Sequence, residues 1–267
     1  MFGLQRWQVE NTVKLIDEGN TIPFIARYRK EAHGTLDDQV LRELSEKLEY
    51  LRNLDKRREE ISASITAQEK MTPEIEAALE KASTLAEIED IYRPFRPKRR
   101  TRASIAKEKG LEPLADAIFA QAADSASPTE LAADYIDAEK GVETAEDAIN
   151  GAMDIIAENI SDDADIRRRL RSLFTVAGVL RSRAADSEKE SVYTMYYEYD
   201  EPVNKIAGHR VLAVNRGENE GFLKVGIDVD RIKALNIINA NVLSDNGSAC
   251  TDTVRDAAAD AYDRLIF

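Results

Sequence analysis

Apolar residues recur at helical spacing almost from the start of the chain. Trp7, Val9, Val13 and Ile16 share one side of a helix, and Gly19 follows as a natural C-terminal stop. Asn20 or Thr21 then caps a second short helix, with Pro23 tolerated in its first turn. "PFIARYRKE" carries that helix on until "AHGTLDD" breaks the pattern. Two short helices about a tight turn predict a helix-turn-helix-like portion. Leu36, Val40, Leu44, Leu48, Leu51 and Leu54 next trace the apolar stripe of a long helix reaching Ser64, whose other face is densely charged. Thr72-Pro73-Glu74 opens a further helix. Thr84 and Glu87 form a capping box for "LAEIEDIY", which Pro94 and Pro97 end.

The same punctuation continues beyond those prolines. Ser127 with Glu130 and Thr144 with Asp147 have capping-box spacing. Ile149, Met153, Ile156 and Ile160 form a helical stripe, and Ile166, Leu170, Leu173 and Ala177 repeat it after "SDDAD", whose acids suit a helix N-terminus. "SVYTMYYEY" has strand-like residues but sits among helices and reads equally as a helix with an aromatic face. The best strand is "FLKVGIDVD", and "TDTVRDAAADAYDRLIF" reads as helix. The expected fold is therefore mainly α: a multi-helix region with a helix-turn-helix-like portion and at most a short strand pair near residues 222–230. A composition shift near "AADSASPTE" divides residues 1–125 from 126–267, although a helix-hairpin loop explains it equally well.

Composition narrows the class. The chain has 267 residues, 43% hydrophobic, which is enough for substantial cores. No apolar run approaches the roughly 20 residues that span a bilayer. "MFGLQRWQVE" lacks the basic start and apolar centre of an export signal, and a single cysteine excludes an internal disulfide framework. A cytoplasmic protein without membrane association is expected. The formal net charge of -13 argues against an indiscriminate nucleic-acid coat.

Catalytic chemistry is sparse. His33 and His209 stand far apart without nearby co-ligands, so neither reads as a metal ligand, and His33 in a polar turn is expected to be exposed. Cys250 has no adjacent base and reads as an inert thiol. Asp228 and Asp230 would share one strand face and are the sole basis for a metal-dependent nuclease, with a solvated strand face as the plainer alternative. "RGENEG" lacks the lysine of a phosphate loop and reads as a turn. No catalytic, metal or cofactor site is nominated.

The charge is segregated, and this changes the picture. From Arg93 to Lys109 the chain carries eight Lys or Arg against one Glu, in the segment opening "RPFRPKRRTR". Lysine and arginine neutralise phosphates with release of counterions, and arginine binds phosphate oxygens bidentately. Pro94 and Pro97 stiffen the segment, and Tyr92 and Phe95 beside it are candidates to stack on bases. The alternative is that these cations pair with the surplus acids of the protein's own helices; composition leaves both open. A second cluster, "RRRLR" at Arg167 to Arg171, reads as a salt-bridged helix face.

Three stretches, "DEGNTIPFIARYRKE", "IEDIYRPFRPKRRTRASIAKEKGLEPLA" and "GHRVLAVNRGENEGFLKV", resemble signature segments of the bacterial Tex family of transcription accessory proteins. His33 departs from the family, which more often has threonine before the glycine. The resemblance implies a multidomain cytoplasmic protein that binds nucleic acid (RNA, with DNA as a second candidate) through its full length. An RNase H-like domain, helix-hairpin-helix modules and an OB-fold RNA-binding domain would follow this helical N-terminal region. The chain is thus expected to be truncated before the RNase H-like domain, monomeric and without a cofactor, with the transcription machinery as a further partner. Phosphate contacts are expected from Arg93, Arg96, Lys98, Arg99, Arg100, Arg102 and Lys107, and secondarily from Arg27, Arg29 and Lys30. The competing expectation is a protein-interaction module docking RNA polymerase or a ribosome-associated partner.

Overall fold

A computed structural model describes residues 3–97 and 100–266. Contacts divide the chain into two compact units, one ending at Tyr92 and the other beginning at Arg93. In the first, α1 (Arg6–Asp17), α2 (Ile22–Tyr28) and α3 (Lys30–His33) lead into the 30-residue α4 (Asp38–Ala67), followed by α5 (Pro73–Lys81) and α6 (Leu85–Tyr92). Gly19, at φ +83°, ends α1 in the left-handed region that glycine enters without penalty. Thr72 and the Thr84–Glu87 capping box start α5 and α6 at the expected positions. The buried seam of α4 is Leu41, Leu44, Leu54, Ile61 and Ile65, while Leu51 is exposed. Steps of three residues fall short of a 3.6-residue turn, so Leu48, Leu51 and Leu54 wander around the helix and the seam omits the middle one.

His33 corrects an expectation. It is fully buried rather than exposed. Its Nδ1 accepts the Leu36 amide at 3.0 Å and its Nε2 faces the Ile25 carbonyl at 3.2 Å, which fixes the Nε2–H tautomer. The ring is a polar staple between α2 and the turn into α4. Polar composition hid it, because both partners are backbone groups brought together only by folding.

The second unit begins with a 3-10 turn (Arg93–Phe95) and α7 (Arg102–Glu108), α8 (Glu112–Ala120) and α9 (Pro128–Ala132). Then come α10 (Ala145–Asp162), α11 (Ala164–Ala177), β1 (Val179–Ala184), β2 (Glu198–Pro202), α12 (Gly208–Asn219), β3 (Leu223–Asp228), α13 (Arg231–Val242) and α14 (Thr251–Asp260). A π-helical turn, Ala261–Ile266, follows. Helices α7, α8, α9 and α14 pack around α10, whose Ala148, Ala152, Ile155, Ile156, Ala157 and Ile160 are buried. Burying an isoleucine contributes about 1.5–3 kcal/mol, so this one helix organises much of the core. Because α7 and α8 bury Ala103, Ala106, Leu114 and Ile118 in the same cluster, contacts place the division at Tyr92–Arg93, ahead of the composition shift near residue 125.

The mainly α class holds, but the β content exceeds the expected strand pair. Strands β2, β1 and β3 form an antiparallel sheet in that order, with Val179 opposite both Pro202 and Asp228. "SVYTMYYEY" is a 3-10 turn (Thr194–Tyr196) running into β2. In β1, Leu180 and Ser182 point into a cluster with Tyr193, Tyr196, Val214 and Leu223, while Arg181 and Arg183 face outward. Six residues of alternation, arriving directly after a basic helix, are too few to stand out from a helical pattern.

Two outcomes follow. Gly34 has φ +66°, and a Cβ there would lie 2.7 Å from Trp7 Cη2, whereas Gly19 has open space around it. Gly34→Ala should therefore lower the thermal midpoint more than Gly19→Ala, whose cost is the left-handed conformation alone, about 1–2 kcal/mol. The capping carboxylates give the second. Hydrogen bonds from Ser83, Ser127 and Thr144 hold Glu87, Glu130 and Asp147 below the usual carboxylate range. Their contribution is complete above that range and is lost as pH falls through the lowered values. Melting at pH 7 and pH 3 should show a smaller acid loss in Glu87→Gln, which has already surrendered its share.

Candidate nucleic-acid interface

The described parts of the basic segment are a 3-10 turn holding Pro94 and the start of a helix. After α6 the 3-10 turn places Arg93 beside the end of α10, where its Nε donates to Asp162 Oδ1 at 3.0 Å. The Asp162 side chain is only 8% exposed, so the acid of this pair is shielded from water while Arg93 is half-buried. Arg96 is exposed, and its amide closes the turn on the Arg93 carbonyl. Lys98 and Arg99 lie outside the described residues. Arg100 is exposed and pairs at 3.0 Å with Glu108, itself exposed. A Thr101–Ser104 capping box then starts α7.

Arg102 is exposed at the head of α7 and forms no ion pair among the described residues. Together with Lys109, Asp147, Asn150 and Asp154 it lines a cleft of about 250 Å³ between α7 and α10. Burial pushes the Asp154 carboxyl up, against the opposing pull of Arg264 and Arg102. Lys107 pairs with Glu112 at 2.7 Å, and Lys109 Nζ donates to the Gly141 carbonyl. The segment is therefore divided. Arg93 is committed to a shielded acid, while Arg100, Arg102 and Lys107 are exposed cations that are unpaired or in solvated pairs.

The first unit holds the second group. Arg27, Arg29 and Lys30 are all exposed around the C-terminal end of α2. The Arg29 guanidinium lies 5.6 Å from the centroid of Phe24, and the Phe24 and Tyr28 rings are 5.3 Å apart. These two aromatics, 37% and 59% exposed, were not nominated from sequence. Their signal was present as an i, i+4 aromatic pair interleaved with cations in "PFIARYRK". The nominated Tyr92 is instead used internally: its hydroxyl lies 3.1 Å from Ser64 Oγ and Arg57 sits 5.7 Å from its ring centroid. Phe95 is half-buried and already engaged.

The remaining candidates have ordinary structural partners. Asp228 pairs with Arg181 on the outer face of the sheet, and Asp230 caps α13 by accepting the Ile232 amide at 2.9 Å. The two carboxylates thus do different work and do not converge on one point. Cys250 is buried in the core. His209 is exposed in the first turn of α12. Arg168 and Arg169 both pair with Asp165, which makes "RRRLR" in part the salt-bridged face expected of it.

Known proteins match the chain along most of its length. Residues 1–66 match the Tex-like protein N-terminal domain, and residues 123–262 match the Tex central region-like model. The chain is 42% identical over 269 residues to the Bacillus subtilis protein YdcI, covering 99% of this chain and 37% of that protein. It is 40% identical over 226 residues to the "Transcriptional accessory protein Tex" of Neisseria gonorrhoeae, covering 82% of this chain and 29% of that protein. It is also 28% identical over 235 residues to the human "S1 RNA-binding domain-containing protein 1", covering 85% of this chain and 23% of that protein. The chain thus spans little more than a third of the longest-matched of these relatives. With an N-terminal model and a central model matched in order on a mainly α framework, the chain belongs to the Tex family.

Proposed function

We propose that this chain is a non-catalytic, cytoplasmic scaffold of a transcription accessory protein, and that its basic segment adds phosphate contacts to nucleic-acid binding. The observation that carries this reading is the exposure of Arg100, Arg102 and Lys107 within one short stretch. An exposed ion pair is worth at most about 1 kcal/mol, so Arg100 and Lys107 exchange Glu108 and Glu112 for phosphate oxygens at little cost. Such contacts position a strand without reading its sequence. The names of two relatives, one a transcriptional accessory protein and one an RNA-binding-domain protein, support the same class. The committed Arg93–Asp162 pair has a structural role within this reading.

Two measurements separate these roles. The triple variant Arg100→Ala, Arg102→Ala, Lys107→Ala should flatten the salt dependence of RNA binding, reducing the slope of log affinity against log salt by about two units for three lost phosphate contacts. An unchanged slope overturns the proposal. Arg93→Ala should leave that slope intact and instead cost about 1–3 kcal/mol in denaturant unfolding, because it strands a shielded carboxylate.

A further inference from the structure

Arginine in this chain is usually consumed by carboxylate. Arg42 pairs with Asp38, Arg52 with Asp17, Arg210 with Glu201 and Arg231 with Asp263. Arg183 is bidentate on Asp200, at 2.7 and 3.0 Å. In a protein of net charge -13 such pairing is the default outcome, since acids outnumber bases over most of the surface. Arg27 and Arg29 depart from it, with Lys30 beside them. They lie within four residues, all exposed, and none forms an ion pair among the described residues.

The same short helix presents two rings to solvent. Phe24 and Tyr28 stand one turn apart on α2, while Ile25, fully buried, anchors the helix from its other side. Their outward placement follows from the register of a packed helix, and α2 contacts α4 within the same unit. Ile25 also supplies the carbonyl that faces buried His33, so the backbone beneath the rings is held by a hydrogen bond as well as by packing. Arg29 lies against the inner ring, Phe24, leaving the more exposed ring, Tyr28, uncovered. Flat aromatic faces beside unneutralised cations match a ligand that alternates flat π-faces with negative charges.

We infer that the Phe24–Tyr28 face of α2, with Arg27, Arg29 and Lys30, is a docking surface for a segment of single-stranded RNA. The bases stack on the rings and the phosphates meet the cations. This rests on the nucleic-acid reading above but specifies a strand with unpaired bases, at residues remote in sequence from the basic segment. A duplex encloses its base faces and offers only phosphate to such a surface. An acidic protein segment would satisfy the cations but would not need two exposed rings spaced one helical turn apart.

The test uses this chain with a fluorescent oligouridylate, the same length of blunt RNA duplex, and a 5-bromouridine oligonucleotide for photocrosslinking. Tyr28→Ala should weaken single-strand binding roughly tenfold with its salt slope unchanged, and Tyr28→Phe should restore it. Arg27→Ala with Lys30→Ala should make the slope shallower by about one unit. Duplex binding should be indifferent to Tyr28, and crosslinks on the unmutated chain should map to Phe24 or Tyr28. Wild-type affinity in a folded Tyr28→Ala variant, an equal loss on duplex, or crosslinks confined to other residues overturns the inference. If the Arg100, Arg102 and Lys107 variant still flattens the salt slope in that case, the broader proposal survives. If the chain binds neither RNA at low salt, both fail.

Discussion

Gly151 and Leu111 set a close approach between elements of the second unit. A Cβ on Gly151 would stand 2.4 Å from Leu111 Cδ1, so the missing side chain lets the turn between α7 and α8 settle directly onto α10. Ala106 is the next neighbour, and the small Ala148, Ala152 and Ala157 line the same helix. Small residues bring helix backbones close, and the isoleucines between them fill the remaining volume. The basic segment leads into α7 and is therefore tied at both ends to α10, through Arg93 on Asp162 and through α7 on Gly151. Its exposed cations inherit their position from that packing.

Charge operates at two levels in this chain. Most arginines lie within reach of carboxylates and form solvated pairs, which add little stability individually but suppress any broad positive field. On the outer face of the sheet, Arg181 and Arg183 alternate with Asp200 and Asp228, so the most basic strand presents a neutralised surface. Cations that escape this compensation consequently stand out as local features. Among the described arginines, Arg27 and Arg29 in the first unit and Arg102 in the second are exposed without an ion pair.

Much of this was legible because helix ends are written in adjacent residues. The capping boxes at Thr84, Ser127 and Thr144 formed where Ser or Thr preceded an acid by three positions. The hydrophobic stripe of α10 was likewise local. What escaped depended on distant partners. His33 acquires its burial from the Ile25 carbonyl, β1 becomes a strand only between β2 and β3, and Tyr92 finds Arg57 and Ser64 thirty residues or so earlier. For the candidate interface, composition located the cations, but it could not separate Arg93, which pairs with a shielded acid, from Arg102, which forms no ion pair among the described residues. That difference is set by which helix end the chain passes, and it emerges only in three dimensions.

The His33 ring bears on how the first unit reports its own integrity. Its Nδ1 is the acceptor for the Leu36 amide, while its Nε2 serves the carbonyl of Ile25 in the middle of α2. Loss of α2 from its seat would remove the Ile25 carbonyl and expose the ring whose Nδ1 holds the Leu36 amide. The Leu36 amide is therefore a built-in gauge of docking, since its exchange with solvent hydrogen is governed by the opening of a helix to which it does not belong. A single amide signal in the turn before α4 thus reads the order of the aromatic face several residues earlier, without a label on that face.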